Sequence, residues 1–285
     1  MWFRFQDRLC RVHEDLQRYL DWLDGHGTRF RVAEDLWQDD DHKGPLIVED
    51  GETRAIELPG LPPFIEHRDP GSGIAANHAS YFLARTLLSG GHLARGGRFW
   101  DIGCGTGVLA VMAGLAGART IIAADIDARP LALARRTAAD ANIAVTFCRG
   151  SLLEPVPLQA VAEVVMANLP HKPVVAPHVL PATQDGGPEG DQVHCAFAAQ
   201  AEARLAEGAR VFFFLHSLPH PRLLQCYHES YELTLLAWKR RFLGADEYGA
   251  LQDHFVERTR AGTSFLTERD GERHLVAGIW RAQRK

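Results

Sequence analysis

Two short stretches of this 285-residue chain combine residue types at spacings that could do chemistry. The first is Asp101-Ile102-Gly103-Cys104-Gly105-Thr106-Gly107. It follows Arg98-Phe99-Trp100, which reads as a strand, and precedes Val108-Leu109-Ala110-Val111-Met112-Ala113, which reads as a buried helix. Strand, glycine turn and helix frame a nucleotide-cofactor site, because glycine lets the backbone approach a ligand where a side chain would collide. Spacing then separates two cofactor classes. A dinucleotide fingerprint is G-x-G-x-x-G, and its third glycine would fall at Val108. Here the glycines run G-x-G-x-G, with Asp101 two residues before the first. The next strand, Thr120-Ile121-Ile122-Ala123-Ala124-Asp125, ends in an acid that can hold two ribose hydroxyls. The competing readings are a dinucleotide turn and an incidental glycine loop.

The second stretch is Asn168-Leu169-Pro170-His171, delivered by the apolar strand Val164-Val165-Met166-Ala167 to the carboxyl edge of the expected sheet, where open α/β folds bind ligands. Taken together, D-x-G-x-G-x-G and the acid at 125 resemble the class I S-adenosylmethionine methyltransferases. Asn168 to His171 resemble the N-P-P-Y or D-P-P-Y motif of those that modify planar nitrogens. The resemblance assigns roles. The lone pair of a planar nitrogen is delocalised, so its N–H groups must be held by acceptors and aimed at the methyl. Asn168 offers a side-chain carbonyl and Leu169 a backbone carbonyl. Pro170 fixes the turn, and the ring of His171 stands where relatives carry an aromatic that stacks on the acceptor. Leu169 replaces the family's first proline. Histidine adds the ability to donate, accept or titrate. A strand-terminating turn is the plain alternative.

Downstream, Gly186-Gly187-Pro188-Glu189-Gly190-Asp191 resembles a loop of the HemK/PrmC family, which methylates a glutamine amide. That resemblance covers about 98–243 and includes Asp125-Ile126-Asp127 and Gly150-Ser151-Leu152-Leu153-Glu154-Pro155. It implies S-adenosylmethionine as cofactor, bound by Asp101, Gly103, Cys104, Gly105, Gly107, Asp125, Ile126, Ser151, Leu152 and Asn168. Ser151 stands where relatives usually carry an aspartate against the adenine. The amino-terminal region is spelled differently from the family's, which points to a different acceptor. Glu66, Asp69, Glu189 and Asp191, with His171, are the candidate substrate-binding residues, since carboxylates hold a guanidinium or amine well. The rival reading of these acids is solvated loop charge.

These motifs need an α/β domain with a doubly wound, mostly parallel, seven-stranded sheet. Strands are expected near 98–103, 120–125, 145–150, 163–168 and 209–216, and helices near 107–116, 128–141, 190–207 and 219–229. Tyr231 to Phe242 reads as a further strand, followed by a hairpin around Asp270-Gly271. Before position 92, Phe5, Leu9, Val12, Leu16, Leu20 and Leu23 recur at helical spacing. Leu46-Ile47-Val48 and Arg54 to Leu58 flank a turn signal. Residues 1–92 therefore read as a helix-plus-hairpin cap and 93–285 as the cofactor-binding domain.

Composition sets the remaining expectations. The net charge of −5 argues against long nucleic acid as ligand, and Lys239-Arg240-Arg241 reads as a solvated face. Five scattered cysteines with no C-x-x-C suggest reduced thiols in the cytoplasm. There is no apolar leader and no run long enough to span a bilayer. His216 and His220 lack the acids or cysteines that would complete a metal site, and read as ordinary histidines. The expected activity is N-methylation of a guanidino or amide nitrogen on a small, amino-acid-like molecule such as arginine. Protein glutamine comes second, a nucleic-acid adenine or a non-catalytic scaffold after it. A small molecule is expected ahead of a protein partner, without membrane contact, and a homodimer is left open.

Overall fold

The structure, a computed structural model, describes all residues except 1, 6, 7, 12, 40–46, 177–179, 245–247 and 250. Val12 and Leu46, which the sequence assigns to the first helix and to a hairpin, lie outside the described residues. The chain opens with a two-stranded hairpin, β1 (Trp2–Phe5) and β2 (Arg8–Arg11), and then α1 (Glu14–Gly25). The helix expected from Phe5 thus begins only at Glu14. Its buried stripe of Leu16, Tyr19, Leu20 and Leu23 keeps the helical period that the sequence shows. His13 accepts the Asp15 N–H and closes its first turn.

Strand β3 (Arg31–Gln38) follows, then a three-stranded sheet of β4 (Ile47–Asp50), β5 (Thr53–Ile56) and β6 (Phe64–His67). Helix α2 (His78–Ser89) is capped by Asn77, which accepts the Ala79 and Ser80 N–H groups. It leads into the alternating core: β7 (Arg98–Ile102), α3 (Val108–Leu115), β8 (Thr120–Asp125), α4 (Ala128–Asp140), β9 (Thr146–Arg149) and β10 (Val164–Met166). Helix α5 (Gln192–Arg204), β11 (Arg210–His216), the single turn α6 (Arg222–Gln225) and β12 (Tyr231–Phe242) complete the middle of the chain. The last elements are α7 (Leu251–Arg260), β13 (Thr267–Arg269) and β14 (Glu272–Arg284).

The large sheet runs β3-β12-β14-β11-β10-β7-β8-β9, with β13 paired to β14. From β11 to β9 every pairing is parallel, and β14 inserts antiparallel between β11 and β12. Among the described residues the sheet has nine strands rather than seven: β13 is the first arm of the hairpin expected around Asp270-Gly271, and β3 joins from outside the expected domain. Strand β3, which the sequence placed in the amino-terminal cap, pairs in parallel with β12 and so belongs to this sheet. Apolar clusters cover both faces, one around Met112, Phe82 and Phe214, the other around Trp100, Phe213 and Trp280, as a mostly parallel sheet requires. The small sheet docks on α4: the His67 N–H donates to Thr137 Oγ1, and the His67 ring contacts Asp140 at 2.7 Å.

Candidate active site at the carboxyl edge of the sheet

The parallel strands β7, β8, β9 and β10 end together, so the residues after each gather at one edge. Register makes this concrete: Asp101 lies beside Ala123 and Met166, and Asp125 beside Arg149. The turn after β7 folds against β8, with Gly103 and Cys104 N–H groups both donating to the Ala124 carbonyl. Gly103 has φ +72°, and a Cβ there would lie 2.9 Å from Leu169 Cδ2. Gly105 has φ +53° and open space where its side chain would be. The first position must stay small to pack, and the second holds a left-handed φ that favours glycine, beside open space.

Two carboxylates define this loop. Asp125 accepts the Gly105 N–H at 2.9 Å and the Asp127 N–H at 3.0 Å, which fixes its orientation. Asp101 is buried. Its Oδ2 accepts the Ala110 N–H at 3.0 Å, and its Oδ1 has no protein partner. Burial raises its pKa from 3.8 to about 7, against the lowering effect of the Ala110 bond, and nearby Asp125 adds to the rise. An unpartnered carboxylate oxygen, a glycine cradle and the exposed apolar Ile126 next to Asp125 suit a cationic amino acid joined to a nucleoside. Ser151 and Leu152 line up beyond β9, Leu152 with φ +49°. The residues present therefore fit S-adenosylmethionine, which when bound supplies a methyl group on an electron-poor sulfonium.

Beside this loop lies a cavity of about 130 Å³. Asn168, Leu169, Pro170 and His171 form one wall, and His78, Phe214, His216, Lys172, Gln184 and Arg241 contribute to the rest. The Asn168 Nδ2 donates to Ser80 Oγ at 3.0 Å, which leaves its Oδ1 as the acceptor of a residue that lines the cavity. His171 is buried. Its Nδ1 lies 2.7 Å from the Leu169 carbonyl, so that nitrogen carries the proton and Nε2 presents a lone pair with no protein partner. The Leu169 carbonyl, expected to receive the acceptor's N–H, is thus already engaged by His171. Burial holds His171 near pKa 4 despite that bond, with Lys172 lowering it further. The loop after Gln184 has a structural task. A Cβ at Gly186 would lie 2.7 Å from His171 Cα, and one at Gly190 2.7 Å from the His171 carbonyl, so only glycines let this loop pack behind the histidine.

The four candidate substrate acids stand elsewhere. Glu66 is fully buried: it takes two bonds from Arg54, its direct partner across β5 and β6, one from the Ala76 N–H and one from Thr106 Oγ1. It therefore joins the small sheet to the glycine turn. Asp69 caps the short turn at Pro70 by accepting the Ser72 N–H. Glu189 pairs with Arg258 at 2.9 Å, and Asp191 with Arg222. None of the four lines the cavity. Protein cations already neutralise three of them, which removes the physical basis for a guanidinium-binding acid cluster.

Other expectations need correction. Lys239 and Arg240 are not a solvated face: they pair with Asp39 and Asp15, while Arg241 lines the cavity. His216, read from the sequence as an ordinary histidine, is a buried part of the cavity wall. Its place at the carboxyl end of β11, the same edge as Asn168, is the signal that would have found it. Cys195 and Cys226 form a disulfide joining α5 to the end of α6, with Cα atoms 5.4 Å apart, so these two are not reduced thiols. Among the described residues no group of histidines, cysteines and acids is arranged to hold a metal, and no helix is long and apolar enough to cross a membrane.

Sheet order, glycine cradle and carboxyl-edge site define a class I S-adenosylmethionine-dependent methyltransferase. The chain belongs to the methyltransferase small domain family, whose model matches residues 72–233, more than half of its length. It is 36% identical over 109 residues to ribosomal protein L11 methyltransferase of Pseudomonas fluorescens, covering 34% of this chain and 37% of that one. With the Pseudomonas putida enzyme of the same name it shares 32% over 146 residues, 47% of this chain and 49% of the relative. The chain spans about half or less of the length of these curated relatives. A Thermus thermophilus 16S rRNA methyltransferase solved with AdoMet and guanosine shares the fold, with a TM-score of 0.54, 16% identity, and coverage of 82% of this chain and 50% of that one. These similarities correct two expectations. They lie with ribosomal-protein and rRNA methyltransferases rather than with the glutamine-amide enzymes that the motifs resemble. The relatives are named for a ribosomal protein, and the solved structure for an rRNA, both macromolecules, which overturns the expectation of a small-molecule acceptor.

Proposed function

We propose that the protein is an S-adenosylmethionine-dependent N-methyltransferase acting in the cytoplasm on a protein, with a side-chain or terminal nitrogen presented to Asn168. The cofactor would lie along Gly103–Gly107, with its ribose on Asp125 and its amino acid near Asp101. The observation that carries the reading is the Asn168 amide, whose donor side is held by Ser80 while its carbonyl remains for the substrate's N–H. Support for a protein acceptor comes from the level of likeness. The relatives more than 30% identical are named for a ribosomal protein, whereas likeness to the rRNA enzyme is at the level of fold. Methyl transfer from a sulfonium needs chiefly alignment, water exclusion and removal of a proton.

The test uses methyl-labelled S-adenosylmethionine and a bacterial ribosome preparation separated afterwards into protein and rRNA. Label is expected on nitrogen in the protein fraction. Asn168→Ala should lower turnover about a hundredfold, the scale of a misaligned acceptor, with cofactor affinity retained. Label in rRNA, or on a protein oxygen or carbon, would refute the proposal.

A further inference from the structure

Methyl transfer needs the cofactor turn and the acceptor wall held at one separation, since a displacement of about 1 Å can cost a hundredfold in rate. Two separate parts of the chain supply them. The glycine turn follows β7. Asn77, His78 and Ala79, at the start of α2, wall the cavity, and Ser80 receives the Asn168 amide. The turn is also pliable by composition: Gly103, Gly105 and Gly107 all have left-handed φ values. On the β8 side it is fixed by Asp125, which accepts the Gly105 N–H. A second anchor is needed to set its distance from α2.

Glu66, on β6 and with no exposed surface, occupies that junction. Its Oε1 accepts two hydrogen bonds at 2.6 Å. One comes from Thr106 Oγ1 in the glycine turn, the other from the Ala76 N–H just before the α2 cap. Its Oε2 accepts the Arg54 Nε at 2.9 Å and the hydroxyl of Tyr81, on α2, at 3.3 Å. Arg54 also donates to the Ala76 carbonyl at 2.7 Å. Pairing with Arg54 alone would serve the small sheet. The shared Oε1 does more, because the turn and the start of α2 cannot separate without one of them giving up its bond. Hydrogen bonds to a charged acceptor are about twice as strong as neutral ones, and Thr106, only 3% exposed, makes this one away from water.

We propose that Glu66 is a positioning residue of the methyl transfer: through Thr106 and Ala76 it locks the cofactor turn to the wall of the cavity beside Asn168, so that cofactor binding tightens the start of α2. Glu66 touches neither reactant. A cofactor lying along Gly103–Gly107 favours the arrangement of the turn in which Thr106 is held, and the carboxylate passes that preference to Ala76. The coupling is reciprocal, so an ordered α2 start favours cofactor binding by the same factor. The inference rests on reading this cavity as the acceptor site.

Hydrogen exchange tests this without methyl transfer. The full ¹⁵N-labelled chain is followed by NMR with and without saturating S-adenosylhomocysteine. The Ala76 N–H, which exchanges only when released from Glu66, should slow at least about tenfold on binding, within the usual range for coupled sites. Amides of the β13–β14 hairpin, outside this network, should keep their rates. Thr106→Val removes the hydroxyl and keeps the shape of the side chain, at a position whose own φ is not left-handed. At equal saturation the slowing of the Ala76 N–H should then fall below about threefold, and Thr106→Ser should behave as the wild type does. Thr106→Ala is a second variant without the hydroxyl, used if valine impairs folding. A wild-type Ala76 N–H that ignores the ligand, or one slowed as much without the hydroxyl, would overturn the proposal. If the exchange coupling is found but ribosomal proteins take no label, the protein-substrate reading fails and the link stands. If they take label while the Ala76 N–H ignores the ligand, only the present inference fails.

Discussion

Replacing Asp101 by asparagine should stabilise the cofactor-free protein in alkaline solution and at the same time abolish most of its affinity for S-adenosylmethionine. Asp101 is 1% exposed, so its charge is nearly unscreened by water. Its folded pKa of about 7 lies above the 3.8 of the solvated side chain, burial being the largest cause. The sign follows from linkage. Below the lower value both folded and unfolded chains hold the proton, and Asp101 imposes no penalty. Between the two values unfolding releases a proton, so stability falls as pH rises. Above the upper value the penalty is complete. A separation of about three pH units, at about 1.4 kcal/mol each, amounts to about 4 kcal/mol. Asparagine keeps an oxygen for the Ala110 N–H and never ionises. Its amide nitrogen takes the place of the unpartnered Oδ1 at a cost that does not vary with pH. The stability difference between variant and wild type should therefore grow by about 4 kcal/mol from pH ~4 to pH ~8. For a chain of this length that corresponds to roughly 10 °C in Tm. Thermal unfolding of both proteins without cofactor, across this pH range, measures it. A melting gap that stays constant with pH would refute the reasoning, because it would mean that Asp101 is ordinarily acidic. Calorimetry should show the variant binding S-adenosylmethionine at least tenfold more weakly, from loss of a charge-assisted bond worth about 1.5–3 kcal/mol.

Asp125→Ala should cost a further about 1.5–3 kcal/mol of cofactor affinity by calorimetry, since it removes both the proposed ribose contact and the acceptor for the Gly105 and Asp127 N–H groups. Unchanged affinity would exclude Asp125 from the cofactor site. Glu66→Gln should destabilise the protein by about 3–5 kcal/mol in denaturant unfolding, because it breaks the buried ion pair that Glu66 makes with Arg54. A loss below about 1 kcal/mol would place this pair among weakly coupled surface bridges. Gly103→Ala should displace Leu169, which an added Cβ would approach to 2.9 Å. Turnover should then fall more than tenfold while the protein stays folded by circular dichroism, on the ground that a small misplacement of the Asn168 segment disturbs alignment. Wild-type turnover would show that this contact yields without consequence.

The local patterns of the chain were sufficient for most of the architecture. Strands β7, β8, β11 and β12 appear within a residue or two of where apolar runs put them, and α3 and α4 follow the glycine turn and the Asp127 cap. These features depend on neighbours in sequence: periodic burial, caps and the φ values that glycine permits. The meeting of Asp101, Asp125 and Asn168 at one edge was legible too, because parallel strands joined by crossovers must end on the same side. What the sequence left undecided depends on partners far along the chain. Glu66 became a structural hub because β5 places Arg54 directly opposite it. Glu189 and Asp191 were taken by Arg258 and Arg222, which return to them from α7 and α6. Arg241 and His216, ordinary in composition, reach the cavity beside Asn168 because β12 and β11 end next to that segment. A charge's role is set by which charge it meets and by how much water remains between them. The sequence lists the charges, and only the tertiary structure pairs them.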